Sequence, residues 1–283
     1  MKKTIIGMDI GATKIHIGAI QGGRVMRDLE IPTSANAPED QIIKEIIEAV
    51  ETLAGDDFKA IGIGVPGLVD VKKGIVYDLW NIPSWKEVFL KDHLEDHFGK
   101  PVKIVNDANS FSLGENKYGK GREYDNFVGV SLGTGYGTGI IINNELYSGV
   151  LSGAGELANI PYLDKTIEDY CSSKFFKSHY QEEGRQLFLK AQQDDPEALK
   201  AFNEFGAHLG ESLKMILYIL APEAIILGGS ISKAYVFFEA ALMESLDTFP
   251  FKRVLENIKI LPSEMPHVSL LGPAALFDEN TEE

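Results

Sequence analysis

Ile5-Ile6-Gly7-Met8-Asp9-Ile10-Gly11-Ala12-Thr13-Lys14 is an apolar strand pattern that runs into a carboxylate and then into a Gly/Thr turn. A second apolar strand, Ile15 to Ile20, follows at once. The same plan returns at Phe127-Val128-Gly129-Val130-Ser131-Leu132-Gly133-Thr134-Gly135, with Gly139 to Ile142 as its second strand. Glycine at a hairpin tip lets backbone N–H groups approach an anion closely, because no Cβ stands in the way. Two such hairpins facing each other would hold a polyphosphate from both sides, which points to a nucleotide-dependent phosphoryl transferase.

Outward from these hairpins the chain alternates strands and helices, the pattern of an α/β protein. Ile42, Ile43, Ile46, Ile47, Val50 and Leu53 recur at helical spacing. Strands are predicted over 60–65 and 102–105, and helices over 86–98 and 108–118. From Phe127 the pattern restarts, with helices predicted over 166–180, 196–220 and 235–248. Further strands are predicted over 224–227, 258–261 and 268–271, then a last short helix from Pro273 and a frayed acidic tail over 278–283. No low-complexity linker divides the chain. The expected arrangement is two lobes around a shared cleft. The first covers 1–118, with 272–283 returning to it, and the second covers 119–271.

Composition narrows the partners. The 283 residues carry a net charge of −15, with 44% hydrophobic and 24% charged residues, ordinary for a soluble globular protein apart from the acidity. Nucleic-acid binding needs clustered Lys and Arg, so the charge argues against it. A polyphosphate site here must rely on backbone amides and a divalent cation. No apolar run approaches the length of a membrane span, so no membrane association is expected. Met1-Lys2-Lys3-Thr4 lacks the features of a secretory signal, and Cys171 is the single cysteine, so a cytoplasmic setting is expected.

Asp107 is the leading candidate for a catalytic base. It follows the 102–105 strand, the position where open α/β sheets place ligands, and a carboxylate there can take the proton of an attacking sugar hydroxyl. Asn106 offers a donor and an acceptor beside it, although Asn-Asp also suits a helix N-cap. Asp9 suits a magnesium ion, directly or through water, or a plain turn. Gly133-Thr134-Gly135-Tyr136-Gly137-Thr138-Gly139 has four alternate glycines, a cost to strand stability that calls for a reason. No Walker A motif is present. Glu156 and Glu168 are carboxylates that could face a polar ligand. His93 and His97 stand at i and i+4, but Leu94 fills the place of a zinc protease's glutamate, so they read as a solvated helix face. Trp80 and Trp85 suit packing or the floor of a sugar site.

Together these segments resemble the ROK family of sugar kinases and related repressors, over nearly the whole chain. Gly7-Met8-Asp9-Ile10-Gly11-Ala12-Thr13-Lys14 resembles the family's first phosphate motif and Gly133-Thr134-Gly135 its second. Gly64-Val65-Pro66-Gly67 and Asn81-Ile82-Pro83-Ser84-Trp85 resemble its sugar-side segments, and Val105-Asn106-Asp107-Ala108-Asn109 its catalytic segment. Leu227-Gly228-Gly229-Ser230 resembles the nucleoside-side turn. The resemblance implies a two-lobed actin-like ATPase (ribonuclease H-like) α/β fold with the active site in the interlobe cleft. It implies ATP and Mg2+, a glucokinase-like transfer to a hexose hydroxyl, most often at C6, and a homodimer or homotetramer. Asp107 is the implied base. Gly67, Asn81, Asn106, Asp107, Glu156, Asn159 and Glu168 are the implied sugar-side residues. Asp9, Gly11, Thr13, Lys14, Gly133, Thr134, Gly135, Gly228 and Gly229 are the implied residues for nucleotide and metal.

One departure stands out. Many family members follow a Gly-Glu-x-Gly-His segment with a Cys-rich zinc loop, whereas this chain reads Gly155-Glu156-Leu157-Ala158-Asn159 and lacks the loop. Asn159 takes the place of a histidine that both binds zinc and touches the sugar, so no zinc is expected. A second enzyme reading changes only the acceptor, to an amino sugar, fructose or another hexose. A sugar-sensing regulator is a reading from a different class; such proteins carry an N-terminal helix-turn-helix, for which a first phosphate motif at Asp9 leaves no expected room. An actin-like polymerising ATPase fits less well beside the sugar-side motifs.

Overall fold

The computed structural model describes residues 4–54 and 57–277. Its described residues form two compact units: one holds the chain up to Arg122, Leu146–Ala154 and the chain from Met265, the other Glu123–Glu145 and Gly155–Glu264.

In the first unit, strands β1 (Ile5–Ile10), β2 (Lys14–Gln21) and β3 (Arg24–Pro32) form an antiparallel meander. After helix α1 (Glu39–Ala54), strand β4 (Ala60–Val65) adds parallel to β1. A small antiparallel sheet of β5 (Leu68–Asp70), β6 (Ile75–Tyr77) and β7 (Glu87–Val88) leads to helix α2 (Leu90–Phe98). Strand β8 (Val102–Asn106), parallel to β4, completes the order β3-β2-β1-β4-β8 and feeds directly into helix α3 (Asp107–Tyr118).

The two faces of this sheet are built differently, and strand alternation is the cause. One face carries Ile6, Met8, Ile10, Ile15, Ile17, Ile61 and Ile63, packed with Ile42, Ile43 and Ile46 of α1 in the main core. The other carries Gly7, Gly18, Gly62 and Gly64, and against it lies the last helix among the described residues, at Val268–Ala275. A Cβ on Gly62 would sit 2.0 Å from the Pro273 carbonyl oxygen, and one on Gly7 2.1 Å from that of Leu270. Glycine is what lets this helix lie on the strands.

The second unit repeats the plan. Strands β9 (Phe127–Leu132) and β10 (Tyr136–Ile142) form the hairpin, and β11 (Glu145–Tyr147) lies at the edge. A two-stranded ladder, β12 (Pro161–Tyr162) and β13 (Lys165–Thr166), precedes helices α4 (Ile167–Cys171), α5 (Ser173–Tyr180), α6 (Gly184–Ala191) and α7 (Pro196–Ile219). Strand β14 (Ala224–Gly228), helices α8 (Tyr235–Asp247) and α9 (Lys252–Asn257), and strand β15 (Lys259–Pro262) follow. The sheet order is β11-β10-β9-β14-β15, with β14 and β15 parallel to β9. Each repeated hairpin thus holds the same place in its own sheet. The last element among the described residues is α10 (Val268–Ala275), back in the first unit.

Several expectations need correction. Val268–Leu271 is not a strand; it is the start of α10, which continues through Gly272 and Pro273. A short apolar run cannot distinguish strand from helix, and packing between the sheet and α3 overrides the Gly-Pro stop signal. The predicted 166–180 helix is two helices, because Ser172 adopts an extended backbone and its side chain caps α5 by accepting from the Lys174 N–H. Of 86–98 only Leu90–Phe98 is helical, since Glu87 and Val88 pair with β6. Strand β10 starts at Tyr136, earlier than Gly139, so Gly137 and Gly139 lie inside the ladder. The acidic tail from 278 to 283 lies outside the described residues. Among the described residues no helix is long and apolar enough to cross a membrane.

Candidate active site

In the first unit the carboxylates come from strand ends. Asn106, the last residue of β8, N-caps α3: its Oδ1 accepts from the backbone N–H groups of Ala108 (2.9 Å) and Asn109 (3.2 Å). Its Nδ2 donates to the Gly67 carbonyl at 3.1 Å, tying the turn after β4 to the helix start. Gly67 has φ +84°. The capping and bridging roles therefore occupy most of the Asn106 side chain. Asp107 is the first residue of α3, and its Oδ1 accepts from the Ala108 N–H at 2.8 Å. The protein mass around it raises its pKa, against the lowering effect of backbone N–H donors, while its side chain still meets solvent.

Asp9, near the end of β1, is pushed up to about 6 by burial first and by the Asp107 charge second. A hydrogen bond from Ser269 and the charges of His16 and Lys14 act in the opposite direction. Ser269, in α10, was hidden by the strand reading of 268–271. Gly11 closes the first hairpin by donating its N–H to the Lys14 carbonyl at 2.9 Å, and Thr33 bonds back to both Gly11 and Thr13. The Lys14 ammonium reaches Glu30 on β3 at 2.5 Å. Asn81 is exposed in the loop before β7. Trp80 beside it is 94% exposed, whereas Trp85 is fully buried packing.

In the second unit Gly133, Thr134 and Gly135 form the hairpin tip, closed by the Gly133 N–H to the Gly135 carbonyl at 3.0 Å. Glu168, at the start of α4, sits behind this tip. It accepts from the Tyr136 N–H at 3.2 Å and pairs with Lys174 at 2.6 Å. Gly229, just after β14, has φ +81°, and a Cβ there would lie 2.2 Å from the Leu132 carbonyl oxygen. That contact sets the turn after β14 against the end of β9. Glu156 caps the start of a single 3-10 turn and Asn159 is its last residue; both are exposed, with Asn159 Nδ2 donating to Glu156 Oε2 at 3.4 Å.

A cavity of about 570 Å³ lies in this unit, lined by Gly133, Thr134, Phe176, Arg185, Ser230 and Lys233 among others. Its size suits a nucleoside-sized ligand. Arg185, Lys177 and Lys233, all in its lining, offer cations that sequence spacing did not single out. They come from α5, α6 and the turn after β14, and only folding brings them together.

Two motifs prove structural. His97 pairs with Glu51 at 2.9 Å and His93 with Glu39 at 3.9 Å, so this face of α2 is held by α1. Cys171 is fully buried, and burial pushes its thiol up, away from nucleophilic use.

Among proteins of known sequence, the glucokinase of Thermotoga maritima is 28% identical over 311 aligned residues, 98% of each chain. The xylose repressor of Bacillus subtilis is 29% identical over 92% of this chain and 73% of its own. The solved structure of a ROK family glucokinase from Streptomyces griseus in complex with glucose and AMPPNP superposes with a TM-score of 0.83 at 28% identity. It covers 96% of this chain and 98% of that one. The α/β architecture is thus the actin-like ATPase fold of the ROK sugar kinases. Since residues 5–280 match the ROK family over a span that includes Asp9, Asp107, both hairpin tips and the Gly229 turn, the chain belongs to that family.

Proposed function

We propose that this chain transfers the γ-phosphoryl group of ATP to the C6 hydroxyl of a hexose, with glucose the first candidate. ATP-dependent sugar phosphorylation follows from its family and relatives. The observation that carries the chemical assignment is Asp107, a solvent-facing carboxylate with a raised pKa at the start of α3. A raised pKa makes a carboxylate a better proton acceptor. Asp107 accepts the proton of the attacking hydroxyl as its oxygen bonds to phosphorus and the bridging bond to ADP breaks. The choice of C6 is supported by chemistry, because it is the only primary hydroxyl of an aldohexose such as glucose and the least hindered.

The remaining roles are assigned by unit. In the first, Gly67 and Asn81 contact sugar hydroxyls, Asn106 positions Asp107, and Gly11, Thr13 and Lys14 serve the phosphates. In the second, Gly133, Thr134 and Gly135 supply backbone N–H groups to phosphate, and Glu168 steadies them from behind. Gly228 and Gly229 shape the nucleoside side, and Glu156 and Asn159 contact the sugar. Asp9 fits a magnesium ion: it is an oxygen donor whose charge a second carboxylate disfavours, a conflict that a hard divalent cation relieves. Such an ion, when bound with ATP, neutralises charge on the phosphates.

A sugar-sensing reading has one supporting observation, the xylose repressor among the relatives. The position of transfer is tested by carbon and phosphorus NMR of the product formed from glucose. Phosphate on C6, with no turnover of 6-deoxyglucose, is the expected result. Turnover of 6-deoxyglucose at the rate of glucose would overturn the C6 assignment.

A further inference from the structure

Three side chains from distant parts of the sequence meet beside the first sheet. His16 is on β2, Asp28 on β3, and His267 just precedes α10. Their ligand atoms all lie within 4.8 Å of one another, and they form the single such group of three among the described residues. His16 Nε2 and Asp28 Oδ2 are 2.8 Å apart. His267 has φ +54°, a left-handed backbone, and its ring centroid lies 6.3 Å from that of His16. No hydrogen bond engages the His267 ring among the described residues. His16 is partly buried, and Asp28 and His267 are exposed, so the group has a fixed member and two that can adjust.

From this juxtaposition we propose that His16, Asp28 and His267 bind one divalent transition cation of the zinc class. Two imidazoles and one carboxylate are a donor set that favours Zn2+, Co2+ or Ni2+ over Mg2+ or Ca2+. Tetrahedral coordination with bonds of about 2.0–2.2 Å sets donors roughly 3.4 Å apart. The His16–Asp28 pair, 2.8 Å apart, needs to open by about 0.6 Å, and His267, within 4.8 Å of both, to move in by about 1.4 Å at most. The fourth position is left to water. Simple pairing of His16 with Asp28 explains two of the residues but gives no reason for a second imidazole beside them.

None of the three residues belongs to the 155–168 segment, where no zinc is expected, and the site does not rest on the phosphoryl-transfer reading. Its position has a structural consequence. His16 lies directly opposite Asp9 in the β1–β2 register, and Ser269, which hydrogen bonds Asp9, follows His267 by two residues. An ion here would clip the segment entering α10 to β2 and β3.

The test uses the full chain, stripped with EDTA and titrated with Zn2+ against a chromophoric chelator. The expected result is one equivalent bound with micromolar affinity, and a Co2+ visible spectrum of tetrahedral type. Asp28→Ala and His267→Ala, both changes of exposed side chains, are expected to weaken binding at least tenfold. His16→Ala should abolish it, and the His93→Ala/His97→Ala double variant should leave it unchanged. Absence of binding to the unaltered chain would overturn the proposal, as would affinity unchanged by Asp28→Ala and His267→Ala. If His16→Ala fails to fold, the two exposed variants decide.

Discussion

Asp107 shows how two readings of one dipeptide can both hold. Asn106-Asp107 suits a helix N-cap and suits a catalytic base, and the structure divides the two roles between neighbours: Asn106 caps, and Asp107 faces solvent. Asp107→Asn should keep sugar binding and lower kcat by at least about a thousandfold, near the upper range for removing a general base. Equilibrium sugar binding beside single-turnover rates would check this. Because the surrounding protein strips hydration from the Asp107 carboxylate and raises its pKa, the acid limb of the rate profile should have its midpoint above the usual carboxylate range. Asp9 yields a prediction of opposite character. Its carboxyl titrates near 6 when folded against 3.8 ordinarily, so the native state holds the proton more tightly than the unfolded chain. Stability is therefore lost as pH rises from about 4 through 6. Asp9→Asn should recover up to about 3 kcal/mol at pH 8 and almost nothing at pH 4, by urea unfolding without nucleotide or magnesium. A gain independent of pH would contradict the assigned cause. The sequence made Asp9 and Asp107 legible because each stands at or just past the end of an apolar run. It did not reveal Ser269, whose importance lies only in what it touches.

At the scale of elements, strands with a long apolar run were readable, whereas β3, β5, β6, β7, β11, β12 and β13 gave no signal that was read. The 60–65 strand was bounded by its own apolar run and a Pro-Gly stop, and α1 by its helical spacing. Helix α10 was misread because its local signals, a β-branched start and an internal Gly-Pro, oppose helix formation, and only the glycine-lined sheet and α3 make it favourable. That dependence is testable. Gly62→Ala places a Cβ 2.0 Å from the Pro273 carbonyl and should destabilise by about 3 kcal/mol or more. Gly99→Ala is the useful contrast: Gly99 caps α2 with φ +60° but has open space around it, so only the backbone conformation is penalised. A loss of about 1 kcal/mol is expected there, by denaturant unfolding. Equal losses at the two positions would show that helix contact is not what Gly62 permits. The cations near the nucleoside-sized cavity escaped the sequence because Lys177, Arg185 and Lys233 share no motif.

For the whole molecule, the repeated strand-turn-strand segment was the most informative feature. It returns as two sheets with the same order of antiparallel hairpin and parallel strands. Return of Leu146–Ala154 to the first unit had no signature, since the chain carries no linker there and the assignment comes from contacts alone. The 155–168 segment, with Asn159 at the end of its 3-10 turn, is where the acceptor sugar's identity should be decided. The most direct measurement is ADP release by the full chain with ATP, Mg2+ and a panel of hexoses and amino sugars, run beside Asp107→Asn. The account predicts turnover on glucose or one close hexose, dependent on Mg2+ and lost in the variant. Sugar binding without ADP release would contradict it and favour a sensor, and equal turnover by the variant would remove Asp107 as the base.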